Sequence, residues 1–137
     1  MELICFKNNQ LTLYYQADRR LVRALWDGFL SGEEFRASAL ACTQVLQERA
    51  PLYWLADNRK LKAIREKDQE WFMQHIAPRM AACSLVKMAT LISEDIFNQM
   101  AVETLHTLGT PVMRFEARFF HQEEQALQWL TASHEAT

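Results

Sequence analysis

The chain has 137 residues, half of them apolar and 23% charged, with only three Gly and three Pro; this is the make-up of a compact domain and excludes disordered and fibrous classes. Fifteen basic against seventeen acidic residues leave a net charge of −2, so no global field draws in a polyanion, and nucleic acid is not expected as a partner. Cys5, Cys42 and Cys83 form no Cys-x-x-Cys pair, which excludes a disulfide framework or zinc-finger spacing and suits small core residues in a reducing cytoplasm.

The N-terminus lacks a basic segment followed by an apolar stretch, and no apolar run reaches the roughly 18 residues that a membrane span needs. Neither export nor a membrane span is expected. Glu2 to Phe6, Leu11 to Gln16 and Leu21 to Trp26 are short runs rich in aromatic, β-branched and Leu residues, parted by Asn8-Asn9 and by Ala17-Asp18-Arg19-Arg20, and they predict an antiparallel meander. Ser31-Gly-Glu-Glu34 reads as a capping box, in which Ser31 and Glu34 satisfy each other's backbone N–H groups. Phe35, Ala39, Cys42 and Leu46 then share one helical face, and Pro51 stops the helix.

Leu52 to Ala56 predicts a buried strand, followed by a loop over 57–66. A helix begins near Glu66, with Trp71, Phe72, His75, Ile76 and Met80 on or beside one face, Glu66 and Asp68 at its positive end, and a kink at Pro78. Val86 to Ile92 predicts a strand. Ser93 caps a helix that aligns Phe97, Leu105 and Leu108 and ends at Gly109, Pro111 to Phe115 forms the last strand, and Gln122 to Thr131 the last helix. The order βββαβαβαβα predicts one α/β domain over 1–137, a mixed sheet with antiparallel N-terminal strands and helices packed on it.

That order, together with Trp54-Leu-Ala-Asp-Asn-Arg59, Asp68-Gln-Glu-Trp71 and Pro78-Arg79, resembles the STAS or SpoIIAA-like domains, in particular a small bacterial branch labelled STAS/SEC14-like. The resemblance covers nearly the whole chain and implies a binding or signalling module. Relatives include anti-sigma-factor antagonists, which bind a partner kinase and are switched by phosphorylation of a Ser at the start of the helix after the strand. Here no Ser, Thr or Tyr lies between Asp57 and Cys83, and the helix start supplies Lys67 and Asp68 instead. The resemblance therefore implies no phosphorelay.

Open α/β sheets bind ligands and partners at the carboxyl ends of their strands, so Asp57, Asn58 and Arg59 are the first candidates for a partner-binding edge, with Lys60, Lys62, Trp71 and His75 beside them. The plainer reading is that Asp57 or Asn58 bonds nearby backbone and steadies the turn. Arg59, Lys60, Lys62, Arg65 and Lys67 would attract an acidic surface if they converged, though Glu66 and Asp68 offset them. Phe72, Met73, Ile76, Met80 and Met88 are candidates for an apolar site, since flexible thioethers line adaptable pockets as readily as they fill a core.

His75, His106, His121 and His134 are isolated, and no residue set specifies a metal, a cofactor or a nucleophile. Asp57 and His75 as acid and base would need to reach one substrate. The leading expectation is a non-catalytic interaction module that contacts a protein partner or a second copy of itself as a homodimer. The alternative is a carrier or sensor of a small apolar, lipid-like ligand.

Overall fold

The computed structural model describes residues 2–92 and 115–135. Six strands form one sheet in the order β1-β2-β3-β4-β5-β6: Glu2–Lys7, Leu11–Gln16, Leu21–Leu30, Tyr53–Ile64, Lys87–Leu91 and Glu116–Phe120. β1, β2 and β3 are antiparallel neighbours, and β3 through β6 are parallel. The expected mixed α/β sheet with an antiparallel start is what the chain forms.

Local chemistry explains the meander. Asn8 closes the first turn, its Oδ1 accepting from the Gln10 and Leu11 amides at 2.8 Å each, the use of a turn Asx side chain that lets the chain reverse without orphaned donors. Parallel neighbours need crossovers, and the helices α1 (Gly32–Arg49), α2 (Glu66–His75) and α3 (Ala77–Ala81) provide two of them. The last helix, α4, runs Glu123–Glu135. The helix expected after Ser93, and all but Phe115 of the strand expected over Pro111 to Phe115, lie outside the described residues.

Alternation along the strands separates two cores. Leu11, Leu13, Val22, Ala24, Trp54 and Ala56 pack against Val45 and Leu46 of α1, whereas Leu21, Tyr53, Leu55, Ala89 and Leu91 pack against Ala126 and Leu130 of α4. Because successive strand residues point to opposite sides, α1 and α4 cover opposite faces.

Several expected boundaries are corrected. β4 does not stop at Ala56 but continues to Ile64, so most of the expected 57–66 loop, residues 57–64, is strand, paired with the distal part of β3 through Asp27↔Lys60, Gly28↔Leu61 and Leu30↔Ile64. β3 likewise runs past Trp26, because Gly28 at φ +86° accommodates the register shift there. The described strand after β5 is Glu116–Phe120, which is not expected from the sequence. At α1, Ser31 sits in the N-cap position without a side-chain cap bond; Glu34 instead accepts from the Asn9 amide at 3.1 Å, pinning the helix to the β1–β2 turn. Pro78 does more than kink its helix: α2 ends at His75 and α3 begins at Ala77, with Pro78 in its first turn, where its missing N–H costs nothing.

Candidate functional site

On the α1 face the helices stand off the sheet and leave an apolar cavity of about 130 Å³. Trp26 and Leu30 of β3 form one wall, and Phe35, Cys42 and Leu46 of α1 form the roof. The floor is β4 and β5, with Trp54, Ala56, Asn58 and Leu61 beside Met88 and Thr90, while Phe72 of α2 and Met80 of α3 close a side. Phe35 is the hub, its ring centroid 6.1 Å from Trp26, 6.3 Å from Trp71 and 6.4 Å from Phe72, within the range of favourable aromatic pairs. The spacing of Phe35, Cys42 and Leu46 puts all three on one helical face, and the small Ala56 keeps the floor low.

Polar groups are few and grouped. Ala56 stands opposite Thr90, and Trp54 opposite Met88, so Asn58 and Thr90 share the carboxyl-terminal end of the floor while Trp54 and Met88 form its apolar end. Burial pushes the Cys42 thiol up to about 12. That is the behaviour of a site in which negative charge is poorly solvated.

The cavity side is held by charge as well as by packing. The only fully buried residue of α2 is Asp68. Its carboxylate accepts from the Gly32 amide at 3.0 Å and from Arg65 Nε at 3.0 Å, and Arg36 Nε lies 3.5 Å away, with the Arg36 guanidinium 5.2 Å from the Trp71 ring. Burial raises the Asp68 carboxyl, but the Gly32 amide, Arg65 and Arg36 outweigh it and hold the group below its ordinary value. The start of α1 is thereby fastened to the start of α2.

The polar junction that drew attention in the sequence is split between the two faces. Asn58 points into the cavity. Asp57 points the other way and is taken up by its neighbour: Arg59 donates from its amide at 3.2 Å, from Nε at 2.9 Å and from a terminal nitrogen at 2.7 Å. Burial raises the Asp57 carboxyl, while these Arg59 contacts lower it by more, leaving it below the usual carboxylate range. Lys60 and Lys62 are exposed farther along β4, and His75 is exposed at the end of α2, 5.5 Å from the Trp71 ring. The Asp57 side chain faces the side of the sheet opposite the one that carries α2 and its His75.

Of the expected apolar set, Phe72, Met80 and Met88 line the cavity; Ile76 is buried without lining it, and Met73 is half-buried outside it. Sequence reasoning passed over Thr90, Leu30 and the structural part of Asp68. The α1 face was visible as a helical stripe, but a void has no residues of its own and leaves no periodic signal. Among the described residues, no helix is long and apolar enough to cross a membrane, and no three His, Cys, Asp or Glu side chains converge in a group that would hold a metal ion.

A family model described as SpoIIAA-like matches residues 21–131, the stretch that runs from β3 through the cavity walls into α4. The chain belongs to the SpoIIAA-like family. A solved structure with the same architecture is an uncharacterised protein with a SpoIIAA-like fold from Shewanella loihica PV-4, similar at 14% identity with a TM-score of 0.53 over 95% of this chain and 92% of that one. No curated protein matches the sequence. Within this SpoIIAA-like fold the cavity lies between the sheet and α1–α3.

Proposed function

We propose that this SpoIIAA-like chain is a non-catalytic binding module that holds a small apolar molecule between its sheet and α1–α3. The observation that carries this reading is the cavity of about 130 Å³ walled by Trp26, Phe35, Trp54, Phe72, Met80 and Met88, since a concave, mostly apolar pocket with a few grouped polar side chains is the usual form of a small-molecule site. The absence of any Ser, Thr or Tyr between Asp57 and Cys83 argues against a phosphorylation switch in that segment. A cytoplasmic setting suits the three thiols, which are free in the structure. Native mass spectrometry after gentle purification should show an adduct that disappears in Ala56→Leu. No adduct, together with no xenon uptake by NMR, would remove the reading.

A second reading, contact with a protein partner or a second copy as a homodimer, is favoured by one specific feature. The distal parts of β3 and β4 extend past the pairing of β2 and β5 and carry Phe29, 72% exposed, in register with Ala63, alongside exposed Lys60 and Lys62. Aromatic residues are enriched at interfaces. Phe29→Asp should lower the sedimentation-derived mass or abolish partner capture while the fold persists; unchanged association would set this surface aside.

A further inference from the structure

We infer that the occupant is an uncharged molecule about the size of a single ring, bearing one hydrogen-bonding group directed at Asn58 and Thr90, a phenol-like ligand rather than an acyl chain or an anion. This rests on the apolar-module reading above and adds its ligand class. Size comes first. An engineered apolar cavity of about 150 Å³ binds benzene, and the cavity here, at about 130 Å³, is of that order, whereas a long acyl chain needs several times the space.

Charge comes second. No Lys, Arg, His, Asp or Glu is among the residues that line the cavity, and an ion moved into such surroundings without a partner loses its hydration for nothing in return. The raised Cys42 thiol reports the same penalty from inside the wall. Orientation comes third. Thr90 stands opposite Ala56 on the adjacent strand, and Asn58 is the next β4 residue on that face, so the two polar side chains occupy one end of an otherwise apolar floor. A hydroxyl can both donate and accept, so Thr90, with the Asn58 carboxamide beside it, can serve either a donor or an acceptor on the ligand.

The test compares p-cresol, toluene, benzoate and dodecanoate by calorimetric titration of the full chain at neutral pH. p-Cresol should bind about fivefold more tightly than its hydroxyl-free counterpart toluene, the effect of one net hydrogen bond. Benzoate and dodecanoate should each bind at least about tenfold more weakly than p-cresol, since neither charge nor length is accommodated. Thr90→Val should bring p-cresol and toluene to within about twofold of each other, while Thr90→Ser, which keeps the hydroxyl, preserves the preference. Circular dichroism verifies that each variant is folded, and if Thr90→Val is not, the wild-type ranking decides alone. Equal binding of toluene and p-cresol, or tighter binding of benzoate or dodecanoate, would overturn the ligand class and leave the apolar module standing; binding of none of the four would sink both.

Discussion

The same strands cover two faces of one sheet, and the two faces are finished differently. Under α4, Leu21, Leu55, Ala89, Leu91, Ala126 and Leu130 are all fully buried and meet directly. Under α1–α3, larger side chains surround a void, and α2 buries an aspartate completely but leaves Trp71, Phe72 and Met73 half-exposed. The difference teaches that hydrophobic residues alone do not close a core. A helix seated by small and branched side chains, such as Ala126 and Leu130, approaches the sheet closely, whereas one fastened at its end by an ion pair stands off and leaves room.

The comparison is broken most severely on the closed side. Leu55→Ala should cost about 3 kcal/mol, because it opens a cavity where the surroundings are already in contact; urea denaturation measures it, and a loss below about 1 kcal/mol would mean that this face is no tighter than the other.

On the cavity side, Asp68→Asn should cost about 2 kcal/mol by weakening the charge-assisted bonds from Gly32 and Arg65 and the ion pair with Arg36. Its pH dependence has a definite sign. The folded carboxyl is held below its ordinary value, so its contribution is complete above the unfolded value of about 3.9 and fades as the pH falls through the lower folded value. Wild type and variant should therefore converge in stability at strongly acid pH. A gap that stayed constant from neutral to acid pH would show that the carboxylate charge is not what fastens α2.

The smallest effect concerns reactivity rather than stability. With its thiol pushed up to about 12, Cys42 should be almost inert to alkylation at pH 8, since the thiolate is the nucleophile. A Cys42→Ala chain should thus lose none of the fast-reacting thiol. Rapid labelling of Cys42 would mean that water enters the cavity freely and that the two faces differ less than their packing indicates.

Particular residues show why some of this was legible and some was not. Asn8-Asn9 and the alternation of Leu11, Leu13 and Tyr15 announce a turn and a half-covered strand, and both form because each is decided by neighbours in sequence. Asp57-Asn58-Arg59-Lys60 reads as a strand end, yet β4 continues through it, because Asp57 finds its partner in Arg59 and the backbone finds its partners in the distal part of β3. Ser31 and Glu34 have the spacing of a capping box, but a turn from another part of the chain claims Glu34. Asp68 looked like an ordinary helix-dipole residue until Gly32, distant in sequence, arrived beside it.

From the sequence alone came the order of elements, the antiparallel start, the apolar stripe of α1 and the want of a Ser, Thr or Tyr between Asp57 and Cys83, all of which depend on short-range spacing and composition. Only the tertiary structure decided that Asn58 and Asp57 face opposite ways into different environments, that Phe72, Met80 and Met88 converge while Met73 does not, and that a cavity lies between them. The reason is physical: a strand's period places alternate side chains locally, but how closely a helix settles on a sheet is set by the summed shapes and charges of residues far apart in the chain.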